Sequence, residues 1–206
     1  MSTQAQSDTL AQLRLGFKQF NRFMLLLWRL GLGRFLQSRW GGYIMVLNHT
    51  GRKTGRLRRT PVNYAIVDGE LYCTAGFGRI SDWYRNLHAH PEVEVWLPRS
   101  RWAGIAVDIT DNAPNALFLL RQVLVGSGFA AYAAGINPIK MSDAELAAAT
   151  AGYRLIHLQR TAPLTGPGGP GDLAWVWLPV TVALLALVWR RKRQASAVLL
   201  RYCLPK

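Results

Sequence analysis

The hydrophobic positions of this chain fall into short alternating runs in its middle and long apolar runs near its two ends. "YIMVLNH" (43–49) and "VNYAIV" (62–67) read as strands, and Asp68-Gly69 is a two-residue hairpin signal leading into a third, "ELYCTA". "VEVWL" and "WAGIAVDIT" alternate and form another hairpin around "PRSR". "YRLIHLQR" (153–160) is a closing strand. Between them lie helical stretches. "SDWYRNLHAHPE" has Ser81 placed to cap it and Pro91 just past its end. "PNALFLLRQVLV" carries Pro114 near its start, and "SDAELAAA" opens on a capping box of Ser142 and Glu145. Short antiparallel strands interrupted by small helices predict an α+β fold built on a closed or split antiparallel β-barrel. A doubly wound sheet would need long crossover helices between its strands.

The two ends differ from this middle. Residues 10–36 read as a helix or two, apolar with Arg14, Lys18, Arg22, Arg29 and Arg34 spread through them. That is too charged to span a bilayer. It fits an amphipathic helix on a membrane face, or equally a helix packed on the domain with solvated arginines. Residues 173–189, "LAWVWLPVTVALLALVW", hold no charge and run into "RRKR". Their length is at the short limit for crossing a bilayer, and Trp175, Trp177 and Trp189 sit where interfacial aromatics belong. The preceding "TAPLTGPGGPGD" reads as a linker that detaches this apolar run from the domain. The expected layout is a basic helical segment 1–40, a barrel domain 41–160, a linker 161–172, a membrane helix 173–189 and a basic tail 190–206.

Charge sharpens this division. The chain is formally +14, yet residues 61–160 carry 8 basic and 9 acidic side chains. The excess lies outside that core, which points to nucleic acid, an anionic membrane surface or a small polyanion as partner. Nucleic acid is disfavoured, because the basic stretch lacks interleaved exposed aromatics. Cys73 and Cys203 cannot form a disulfide framework, and Cys73 is expected as a small core residue. No secretory signal is expected at the polar N-terminus.

Within the basic excess, "TGRKTGRLRRTP" (50–61) concentrates Arg52, Lys53, Arg56, Arg58 and Arg59 between two strands. Gly51 and Gly55 let the backbone turn and approach a ligand, arginine forks match phosphate or carboxylate oxygens, and Thr54 and Thr60 add hydroxyls. The stretch is not a phosphate-binding Walker loop, and "GFGRIS" lacks the third glycine of a dinucleotide fingerprint. "AGFGRISDWYRNL" (75–87) runs from a strand through two glycines into a helix N-terminus, where free N–H groups and the helix dipole favour an anion. A planar ligand with an anionic tail would suit both stretches. The bland alternatives are a solvated charged hairpin and a core role for Trp83 and Leu87.

"TGRKTGRLRRTP" and "DWYRNLHAHPEV" (82–93) together resemble the deazaflavin-dependent nitroreductase family, split-barrel enzymes that use reduced coenzyme F-420. The resemblance implies that Arg52, Lys53, Thr54, Gly55 and Arg58 hold the coenzyme's phosphate and acidic tail. It places Thr60 and Pro61 along the tail or ring edge, Ala75, Gly76 and Phe77 against the ring, and Trp83, Tyr84 and Asn86 around the pocket. It implies hydride transfer to a quinone or nitro-type acceptor, with the coenzyme supplying the difficult step. Tyr64, Tyr132 or water are candidate proton donors, and Phe129 and Tyr132 candidate substrate contacts. FMN is the alternative cofactor, although five cations exceed what one phosphate needs. A non-catalytic lipid-binding module is the alternative function.

His88 and His90 point to different faces of a helix, and no cysteine or carboxylate cluster completes a metal set, so no metal is expected. His49 and His157 lie on predicted strands as structural residues. The "RRKR" run predicts a cytoplasmic C-terminus, whereas a domain using a cytosolic coenzyme belongs inside. The expectation is a membrane-attached enzyme facing the cytoplasm, with a homodimer left open.

Overall fold

A computed structural model describes residues 16 and 19–202, with side chains as far as Arg191. Much of the expected N-terminal helical segment, and the last residues of the basic tail, lie outside the described residues. Six strands close into one antiparallel barrel: β1 (Ile44–Thr50), β2 (Leu57–Val67), β3 (Glu70–Ala75), β4 (Glu92–Leu97), β5 (Ser100–Asp108) and β6 (Arg154–Pro163), in the order β1-β2-β3-β6-β5-β4. The helices are α1 (residues 19–29), α2 (Asp82–Ala89), α3 (Ala116–Gly126), α4 (Phe129–Ala133), α5 (Asp143–Ala149) and α6 (Trp177–Tyr202).

Strand alternation decides what sits inside. Met45, Leu47, Val62, Tyr64, Cys73, Val95 and Leu158 point into the barrel. Tyr84 and Leu87 of α2, with Trp83 packed against them, join this core, so α2 packs into the barrel rather than lying free on it. β1 is buried on both faces, as a continuous apolar run implies. Its outward Val46 lies with Trp96 beneath Trp28 of α1. On another flank, α3, α4 and α5 cover β2, β3 and β6 through Leu120, Val123, Ala131, Leu146 and Leu155.

Local chemistry fixes the connections. Asp68 and Gly69 both adopt positive φ, 52° and 84°, as the tight hairpin requires. The capping box of Ser142 and Glu145 is formed in both directions. The apolar N-terminal stretch forms two pieces, α1 to residue 29 and, after Gly31 at φ 80°, a short 3-10 turn, Gly33–Phe35. Two expectations need correction. β2 begins at Leu57, five residues before the expected 62, so Arg58, Arg59, Thr60 and Pro61 are strand residues and the loop proper is 51–56. The glycine-rich linker does not detach the tail: its Asp172 pairs with Arg29 at 3.0 Å and the amide of Leu173 donates to the Arg29 carbonyl at 2.8 Å.

Candidate functional site

The β1–β2 connection is a compact turn. The Gly51 amide donates to the Arg56 carbonyl at 2.9 Å, and the amides of Thr54 and Gly55 return to the Gly51 carbonyl at 3.1 and 2.8 Å. Gly55 sits at φ 62°, a conformation natural to glycine. The turn is fastened to α2 through one residue. Arg52 gives its backbone amide (3.1 Å) and its Nη1 (2.9 Å) to the Asn86 side-chain oxygen, and its Nη2 to Asp82 at 3.0 Å. The two stretches singled out in the sequence are thus in direct contact.

Asn86 is the hub of this contact. Its oxygen is committed to Arg52, so its amide Nδ2 faces His49 Nδ1 at 3.3 Å, and His49 Nε2 meets Thr60 Oγ1 at 3.0 Å. An amide N–H cannot accept, so Nδ1 is the acceptor and the imidazole proton lies on Nε2, shared with the threonine. Burial lowers the His49 pKa from 6.5 to about 4, with the Arg58 charge acting in the same direction. Sequence reasoning treated His49 as a strand residue only. Its link to Asn86 spans 37 positions and left no local signal.

The loop's cations divide by role. Arg52 is used to hold the turn. Arg59 faces away, donating to Asn48 Oδ1 at 3.1 Å with its guanidinium 5.2 Å from the Trp96 ring centroid. Lys53, Arg56 and Arg58 are exposed and join none of the ion pairs found among the described residues. Such a concentration of like charge favours a multiply charged anion.

The β3–α2 connection supplies the neighbouring wall. Ala75 ends β3 buried, while Gly76 and Phe77 are exposed. Gly78, at φ 55°, passes so close to Gly152 that an added Cβ would lie 2.0 Å from its carbonyl oxygen, so no other residue fits. Ser81 occupies the N-cap position of α2, yet its side chain makes no cap bond, and its buried hydroxyl finds no partner among the described residues. The exposed Lys53, Arg56 and Arg58, with the exposed Thr54 between them, are a donor set that fits phosphate and carboxylate oxygens.

The other expected site residues divide between the core and the surface. Tyr84 is buried and donates to Asp108 Oδ2 at 2.5 Å, and Trp83 packs half-buried on the core. Tyr64 is buried in the barrel, and desolvation raises its pKa. Thr60 and Pro61 lie in β2 opposite Leu47 and Val46. Phe129 and Tyr132 are exposed on α4, where the Phe129 amide donates to the Trp40 carbonyl at 2.8 Å. That contact adjoins the start of β1, about 20 Å along the strand from the cationic turn. A cavity of about 340 Å³ lies under α2, lined by Tyr84, Leu87, His88, Ile105 and Asp108, and it shares no residue with the cationic turn. Among the described residues no three metal-ligating side chains converge.

The barrel and its cationic corner define a small β-barrel protein with a concentrated positive charge at one end. A family model described as F420H(2)-dependent quinone reductase matches residues 30–142, more than half of the chain, and the chain belongs to that family. F420H(2)-dependent quinone reductases from two strains of Mycobacterium tuberculosis are each 33% identical over 75 residues, 34% of this chain and 50% of the relative. The chain thus spans about half the length of the curated relatives it matches. Among solved structures it is similar to an F420-H2 dependent reductase, at 17% identity and TM-score 0.41, over 56% of this chain and 93% of that one. It is also similar to HutZ, the heme storage protein from Vibrio cholerae, at 14% identity and TM-score 0.42, over 68% and 93%.

Proposed function

We propose that the protein transfers a hydride from reduced coenzyme F420 to a quinone, with nitro compounds as further acceptors, beside a membrane. The carrying observation is the group of Lys53 and Arg56 on a turn that Arg52 and Asn86 hold against α2, with Arg58 at the adjoining start of β2, all three outside the ion pairs found among the described residues. The reduced deazaflavin supplies the hydride when bound. The chain supplies position. Lys53, Arg58 and Thr54 bind the phosphate and carboxylates of the tail, with Arg56 as an additional cation. Arg52, anchored at both backbone and side chain, presents the turn in one conformation. The backbone of Ala75, Gly76 and Phe77 borders the ring. Tyr64 is too deeply buried to be reached from solvent, which leaves Tyr132 or water to deliver a proton. The exposed apolar segment Ala174–Arg191, long enough to cross a membrane, supports the membrane part of this reading, and lipophilic quinones dissolve there.

The test uses the full chain in detergent. Coenzyme F420 should quench its own fluorescence on binding, FMN should compete poorly, and the reduced coenzyme should be oxidised in the presence of menadione. Binding of FMN alone, or no oxidation with either menadione or a nitroaromatic, overturns the reading.

A further inference from the structure

The second feature of the molecule that its cationic corner leaves unexplained is a run of exposed apolar side chains along α1 and beyond it. Met24 and Trp28, one turn apart, are the buried positions of this helix, with Trp28 against Val46 and Trp96. Phe20, Phe23 and Leu26 form a separate stripe that is 52%, 57% and 45% exposed. Beyond α1 in the chain, Phe35 is 67% exposed and Trp40 86%. Trp40 touches the start of α4, where Phe129 is 70% exposed. An apolar surface of this extent marks an interaction site.

The partner is identified by what borders the surface. Arg22, Arg34 and Arg39 are exposed around it and enter none of the ion pairs among the described residues. From its edge departs α6, whose segment Ala174–Arg191 has a mean hydropathy of 1.3 over 18 residues, none of it buried. The junction is braced. Arg29 pairs with Asp172 at 3.0 Å, the Gly171 amide donates to the Trp28 carbonyl at 3.0 Å, and the Trp177 indole donates to the Leu30 carbonyl at 2.9 Å. We propose that α1, the turn through Trp40 and the start of α4 lie in the headgroup layer of an anionic bilayer, at an angle to α6 fixed by the Arg29–Asp172 corner. Aromatic and basic side chains suit that layer. The proposal rests on the membrane-associated part of the proposed function, and it adds that Phe129 and Tyr132 face lipid, so that a quinone reaches them from the bilayer.

The experiment uses the full chain with Cys203→Ser, since Cys73 is buried. Single cysteines at Phe23, Trp40, Phe129 and Asp68 carry an environment-sensitive fluorophore. The protein is placed in phosphatidylglycerol/phosphatidylcholine vesicles holding a shallow lipid-borne quencher. Labels at Phe23, Trp40 and Phe129 should shift to the blue and be quenched, while Asp68, at the exposed β2–β3 hairpin, should do neither. With Arg29→Ala added, the Phe129 label should lose part of its quenching and the Phe23 label should keep it. Equal water exposure at all four positions overturns the proposal. Shielding that needs no lipid and grows with protein concentration assigns the face to a second copy and also overturns it. Unchanged quenching at Phe129 in the Arg29 variant overturns the fixed corner. No readout involves the coenzyme, so failure here is distinct from failure of the proposed activity.

Discussion

At one end of the barrel Arg52 reaches across 34 positions of sequence to Asn86, and on its flank Arg29 reaches across 143 to Asp172. Each guanidinium ties an irregular segment to a helix. The settings differ in what remains. Around Arg52 the remainder is charge, carried by Lys53, Arg56 and Arg58. On the helix that carries Arg29 it is apolar area, presented by Phe20, Phe23 and Leu26. The same device therefore stands beside two surfaces of opposite character, one cationic and one apolar.

The largest effect expected from breaking this comparison is at the charged corner. Lys53→Glu with Arg58→Glu should weaken coenzyme binding at least about a hundredfold, since charge-assisted contacts contribute about 1.5–3 kcal/mol each. Fluorescence titration measures it, and unchanged circular dichroism would show that the fold survives. Asn86→Leu should cost about 2–4 kcal/mol of stability, because it strands the Arg52 donors and His49 together. Asp82→Asn, at the exposed end of the same network, should stay within about 1 kcal/mol. Urea unfolding separates the two.

Acid should weaken the same network. The folded-state pKa of His49 is about 4 against an ordinary 6.5, so the unfolded chain takes up the proton first as pH falls. The stability that depends on neutral His49 is intact above pH 6.5 and is lost between 6.5 and 4, by about 3 kcal/mol in all. Unfolding curves over that range should show a loss that His49→Gln lacks. The smallest stability effect belongs to the flank. Arg29→Ala removes a partly exposed pair and should cost less than about 1 kcal/mol, while altering the orientation of the domain on vesicles.

The contrast also shows what a sequence can disclose. Elements governed by neighbours were legible: the Asp68-Gly69 hairpin, the Ser142–Glu145 box and the alternating strands. The cationic turn and α2 were legible as motifs, though not as a hydrogen-bonded pair. The start of β2 was not, because charge and proline masked it. Pro61 is tolerated there since pairing with β3 begins only at Tyr64, leaving that stretch of β2 with β1 as its ladder partner. Arg58 and Arg59 read as loop residues, but alternation sends one toward the His49 side and the other onto Trp96. Ser81 was expected to cap α2 and does not. The packing of the linker depended on Arg29, too distant in sequence for any local pattern to reveal.

One consequence of the linker's hydrogen bonds concerns α1 itself. A helix ends with carbonyl groups that its own backbone cannot satisfy. Here Gly171, Leu173 and Trp177 donate to the carbonyls of Trp28, Arg29 and Leu30. The segment before α6 is therefore a C-terminal cap delivered from the far end of the chain. Trimming the tail before residue 171 would uncap α1 and loosen Trp28 from the barrel wall.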